Sequence, residues 1–193
     1  MTGPSAGGKV SLLGFCEWLA ETPWSIALHE SLYVYPVVET IHVLSLLLFV
    51  GSVIVVDLRL LGWTLREVPV SEVTTRILPW TFAGFVIAVV TGLLLFYAIP
   101  IRTYLSIFFR IKVLALIGSG INVLLLHRYM NRTRSAWDVG ARPPLRARVA
   151  GAISLVSWAV VIAMGRMIAY NWFDCDRQPQ SDFVNWAAGC VLE

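Results

Sequence analysis

VVETIHVLSLLLFVGSVIVVDLRLL, residues Val37 to Leu61, decides the fold. A helix rising 1.5 Å per residue over this stretch is about 37 Å long, more than the roughly 30 Å hydrocarbon core of a bilayer. Its ionisable residues stand near its ends: Glu39 and His42 near the start, Asp57 and Arg59 near the finish. The middle carries no charge. Such a segment reads as a transmembrane helix, and it predicts three companions: about Ile77–Ile99, Tyr104–Tyr129 and Val149–Phe173.

Composition agrees with that reading. Of 193 residues 58% are hydrophobic and only 14% charged, with mean hydropathy +0.74. Soluble domains carry about 25% charged residues. The expectation is an all-α, integral membrane four-helix bundle forming one domain over residues 1–193. Eight Trp and six Tyr suit a protein with two membrane interfaces, where amphipathic rings gather. No nucleic-acid-binding pattern is present.

Pro36 and Pro100 fall where helices should begin or end, and Pro79 is expected in the first turn of the second span, where its missing N–H costs little. Arg142-Pro143-Pro144 breaks the chain before the fourth span. Residues 11–35 mix Leu12, Trp18 and Trp24 with Glu17, Glu21, His29 and Glu30, too polar to span. They predict an amphipathic interfacial segment broken near Pro23. Glu17, Glu21 and Pro23 also argue against a cleaved signal peptide after Lys9. Residues 174–193 form a polar tail.

Arginine sets the expected orientation. Arg59, Arg66 and Arg76 flank one connection, and Arg128, Arg132, Arg134, Arg142, Arg146 and Arg148 flank another on the same side. The opposite side holds Lys9, Arg102 and Arg177. Both termini are therefore expected on the periplasmic, outer side of a bacterial inner membrane. There Cys175 and Cys190 could pair in an oxidising compartment, while Cys16 has no evident partner.

His42, Lys112 and Arg166 then sit at similar depth, on the order of 7–12 Å below the outer boundary by helical rise. Ionisable groups at that depth face a partner, a cofactor or a cavity. Stepping 100° per residue, Glu39, His42, Ser45 and Phe49 share one face of the first span, and Lys112, Ala115, Ser119 and Asn122 one face of the third. Arg110 points away from Lys112 and is expected to snorkel toward headgroups.

Three readings follow for this layer. His42 as a haem ligand would leave Lys112 and Arg166 to neutralise propionates. A quinone would take hydrogen bonds from the same groups. A structural role would pair the cations with Glu39. Candidate second haem ligands are His29 and Met167, beside Met164. His127 lies some 25–30 Å from His42 by helical rise and is excluded. With three His in the chain, a relay of two bis-His haems is disfavoured. Asp57, Arg59, Asn122, His127 and Arg128 form a second polar group at the inner side, expected as a helix-anchoring salt-bridge network, with a second site there as the alternative. Gly84, Gly92, Gly118, Gly120 and Gly165 permit close helix approach. No zinc motif, nucleotide loop or nucleophile triad is present.

Several pieces carry a resemblance: His42-Val43-Leu44 leading to Gly51, Asp57-Leu58-Arg59-Leu60-Leu61-Gly62, Thr91-Gly92-Leu93-Leu94, Phe109-Arg110-Ile111-Lys112 with Asn122 and His127-Arg128, and Gly165-Arg166-Met167-Ile168-Ala169-Tyr170. Over about residues 36–170 the chain resembles an uncharacterised family of bacterial four-helix inner-membrane proteins. It is more distantly similar to copper-resistance (CopD-type) membrane proteins and HemJ-type protoporphyrinogen oxidases, which implies a tetrapyrrole or redox-metal role at His42 and Lys112. The leading expectation is a b-type haem-binding electron-transfer subunit serving quinone or a redox complex near the outer face. The alternatives are a cofactor-free accessory subunit of a respiratory or photosynthetic complex and a porphyrin-oxidising enzyme.

Overall fold

The computed structural model describes residues 12–133, 143–170, 175 and 178–190. Lys9, Ser11, Arg134, Arg142, Phe173 and Arg177 lie outside the described residues. The described chain forms eight helices. They are α1 (Leu12–Ala20), α2 (Pro23–Glu30), α3 (Val34–Leu61), α4 (Val70–Ala98), α5 (Pro100–Tyr104), α6 (Ile107–Thr133), α7 (Leu145–Tyr170) and α8 (Asp182–Ala188). Four of them, α3, α4, α6 and α7, are 26–29 residues long and apolar enough to cross a membrane. The protein is thus an all-α membrane bundle.

The long helices depart from the sequence boundaries in instructive ways. Helix α4 starts at Val70, behind Pro69, seven residues before Ile77. Its first turns carry Glu72 and Arg76, paired at 2.6 Å, and two threonines whose hydroxyls donate to carbonyls four residues back. This polar extension has no hydropathy signal, so the sequence reading missed it. Pro79 consequently lies inside α4 and not in its first turn. At the other end, Pro100 opens the short α5, and the third span begins only at Ile107.

Helix α3 packs against α4 and α7, and α7 also packs against α6. Small residues set the closest approaches. A Cβ on Gly84 of α4 would lie 2.8 Å from the Phe49 backbone nitrogen of α3. A Cβ on Gly151 of α7 would lie 3.1 Å from the Asp57 carbonyl oxygen. Without hydrophobic drive between helices in lipid, such close backbone packing supplies much of the association energy.

Between these contacts lies the bundle centre. Phe49 meets Trp158 edge to face at 4.8 Å and Phe85 at 5.4 Å, with Val50 and Val161 completing the cluster. A second cluster, Leu60, Val70 and Ala147, closes the arginine-rich end. Helix α3 stops there because Gly62 adopts φ 75°, so that Gly62 and Trp63 N–H groups cap the Arg59 and Leu58 carbonyls in a Schellman arrangement.

At the opposite end the short helices gather. Ser25 donates to the Tyr97 carbonyl oxygen at 2.7 Å, and the Thr22 hydroxyl lies 2.7 Å from the Tyr97 hydroxyl, tying α2 to the end of α4. Cys175 and Cys190 are joined in a disulfide. Arg110 donates to the Ala187 and Ala188 carbonyl oxygens at 2.6 and 2.7 Å, at the C-terminus of α8. The expected snorkelling of Arg110 is therefore replaced by a cap: a guanidinium satisfies carbonyls that the helix cannot.

Candidate functional site: His42 and Lys112 at the bundle's short-helix end

His42 stands eight residues into α3 and Lys112 five into α6. By helical rise both are about 7–12 Å from their helix starts. Each is half-buried, and Lys112 lies within electrostatic reach of the imidazole.

The hydrogen bonds around His42 favour one tautomer. Nδ1 lies 2.9 Å from Thr91 Oγ1 of α4. That hydroxyl spends its own proton on the Ile87 carbonyl oxygen at 2.6 Å. With its proton so placed the hydroxyl accepts from the imidazole, an arrangement that suits the tautomer with the ring proton on Nδ1 and the Nε2 lone pair open. A backbone-anchored partner on one ring nitrogen orients the other for ligation or proton exchange. Gly92 completes the cradle: a Cβ there would lie 3.2 Å from His42 Cε1. The residue before Gly92 thus orients the ring, and Gly92 makes room for it. The sequence reading grouped Thr91-Gly92 with its resemblance motifs but gave Thr91 no role at the site; a threonine within an apolar helix one residue before a glycine was the available signal.

Lys112 faces α7, where a Cβ on Gly165 would lie 3.6 Å from Nζ. Among the described residues Nζ makes no hydrogen bond and no ion pair. The stripe predicted on this helix does face its neighbours. Ala115 packs on the Phe49 cluster, Ser119 is buried, and Asn122 donates to the Ala150 carbonyl oxygen at 2.9 Å.

The remaining candidates fall elsewhere. Arg166 is exposed, and its guanidinium lies over the Tyr170 ring at 5.6 Å and reaches the Tyr170 hydroxyl at 3.4 Å, along the surface of its own helix. Gly165, the residue before it, is the one facing Lys112. Glu39 is exposed, in the electrostatic surroundings of Tyr35 with Arg102, and makes no ion pair with Lys112 or Arg166 among the described residues. His29 packs edge-on to Tyr35 at 6.3 Å, a residue about 10 Å of helical rise from His42. Met167 is half-buried on α7. No cluster of three or more His, Cys, Asp or Glu side chains occurs among the described residues.

The polar group at the arginine-rich end also resolves differently from the expected salt-bridge network. Asp57 and Arg59 are 4% and 0% exposed and do not pair with each other. Two residues apart on a helix, they point to different sides. Arg59 donates to the Val68 and Arg66 carbonyl oxygens of the α3–α4 connection. His127 and Arg128 are exposed, His127 against Asn131 at 3.1 Å.

Fold and site together define a multi-pass helical membrane protein whose half-buried polar pair, imidazole and ammonium, is enclosed by small residues. A family model matches residues 15–171, and the chain belongs to that family, a family of unknown function (DUF6644). No curated protein and no solved structure matches the chain.

Proposed function

We propose that this protein is a membrane electron-transfer subunit that binds a b-type haem at His42. The observation that carries the reading is the pairing of an imidazole held through Nδ1 with a neighbouring ammonium that has no counter-ion among the described residues. An unpaired cation at membrane depth is costly, and an anionic group brought by a ligand would offset that cost.

The residues present suit the group. His42 would ligate iron through Nε2, with Thr91 holding the ring. Lys112 would pair with a propionate. Gly92 and Gly165 keep the space beside ring and ammonium free of side chains. Haem would supply one-electron oxidation and reduction within the bilayer. On this reading the site faces the periplasmic side of a bacterial inner membrane, and α1, α2, α5 and α8 offer a docking surface for a redox partner.

One observation favours a second occupant. His29 is packed on Tyr35, which leaves His42 as the single imidazole of the site. A quinone needs no second axial ligand, and its carbonyl oxygen would accept from Lys112. The test is the absorption spectrum of protein purified from membranes with haem supplied. A Soret band that shifts on dithionite reduction and is lost in His42→Ala supports haem. No Soret band, with quinone recovered in the extract at stoichiometric amount, replaces it with the second reading.

A further inference from the structure

One buried group is untouched by the His42 site. The Asp57 carboxyl, 4% exposed, sits between α3 and α7 where Gly151 lets the two backbones approach. Its Oδ2 is buried without a hydrogen-bond partner among the described residues, and on α7 the carboxyl faces the Ser154 hydroxyl. On α6, Asn122 gives one of its two amide N–H donors to the Ala150 carbonyl oxygen.

The basic groups nearby are directed elsewhere. Arg59 and Arg66, from α3 and the connection after it, donate to backbone carbonyl oxygens. On α4, Arg76 pairs with Glu72, and on α7 Arg146 covers the Tyr129 ring while Arg148 is exposed. On α6, His127 and Arg128 are exposed. Among the described residues, an ionised carboxylate in this position exchanges its hydration for the single Ser154 hydroxyl and no paired cation, whereas the neutral acid loses far less.

We propose that Asp57 is a proton-binding site of the membrane domain, loaded with a proton and exchanging it with water at the arginine-rich end. The last residue of α3, Leu61, lies one helical turn beyond Asp57, so the exchange path is about 6 Å of helix. The protonated carboxyl donates its O–H to an acceptor such as Ser154 Oγ, and release returns that proton to water while leaving the carboxylate. The inference is independent of what occupies the His42 site.

Infrared spectroscopy of the full chain in liposomes tests it. At neutral pH the account expects a carboxylic-acid C=O band that moves on labelling with [4-13C]aspartate, moves again in D2O, and disappears in Asp57→Asn. Ser154→Ala should shift its frequency. Isotope labelling of the wild-type chain keeps the test decisive even where Asp57→Asn fails to fold. Absence of an isotope-sensitive acid band at neutral pH, or its persistence in a folded Asp57→Asn protein, overturns the proposal. A band that never responds to D2O overturns the exchange.

Discussion

The imidazole of His42 meets Thr91 across the α3–α4 interface, Nδ1 to Oγ1 at 2.9 Å, and the threonine hydroxyl lies 2.6 Å from the Ile87 carbonyl oxygen, which leaves it suited to accept from the ring. One hydrogen bond therefore links fold to site. It joins the two helices that pack most extensively, and it engages Nδ1 of the ring.

Thr91→Val removes the acceptor and keeps the shape. The expected cost is about 1 kcal/mol, typical of a hydrogen bond between membrane helices. Thr91→Ser should recover most of it. Thermal unfolding in detergent reads the difference, and a pH-titrated 15N spectrum of the imidazole should show the tautomer losing its preference in Thr91→Val alone.

Gly84 and Gly118 should respond oppositely to alanine. At Gly84 the new methyl meets the Phe49 backbone at 2.8 Å, which cannot yield without moving α3. Gly118 is exposed and has nothing within 4 Å. Gly84→Ala should destabilise by about 1–3 kcal/mol, as overpacked interiors do. Gly118→Ala should be neutral or stabilise by up to about 1 kcal/mol through helix propensity. Equal losses at both sites, measured by unfolding in detergent, would contradict the α3–α4 packing.

Arg110→Ala should loosen α8. The guanidinium holds the last carbonyls of that helix, and Gly189, at φ 73°, lies against it: a Cβ there would be 2.8 Å from the guanidinium. Limited proteolysis should cut the 178–190 segment faster in the variant, and faster still once the Cys175–Cys190 disulfide is reduced. Arg110→Lys should rescue little, because one ammonium cannot copy a fork that reaches two oxygens.

Cys16 should be inert. It is 3% exposed, and burial, aided by the adjacent Glu17 charge, pushes its thiol above the usual range. Less thiolate at a given pH means slower alkylation. Maleimide at pH 8 should label it only after denaturation; rapid labelling of the folded protein would show α1 detached from its neighbours.

The sequence exposed this architecture unevenly, for physical reasons. Transmembrane helices announce themselves because lipid demands long apolar runs, so four spans were readable from hydropathy alone. Their ends were not. Val70–Arg76 is helical through a Glu–Arg pair and threonine hydroxyls, local chemistry that hydropathy does not register. In the site, helical phase placed His42 and the Lys112 stripe toward neighbours, while Arg166 joined the layer on depth alone. Depth does not say which way a side chain turns: one residue is 100° of rotation, and the structure aims Gly165 at Lys112 and turns Arg166 to Tyr170. Thr91 escaped notice because a threonine can bond its own helix anywhere along an apolar segment. Only the crossing of α3 and α4 gives it the imidazole.

The claim that the protein carries haem on His42 is tested most directly by the reduced-minus-oxidised absorption spectrum of haem-supplied protein, beside that of His42→Ala. The account predicts a b-type difference spectrum in the wild-type protein and its loss in a folded His42→Ala. Haem retained with an unchanged spectrum in His42→Ala, or no haem in the wild-type protein, would contradict it.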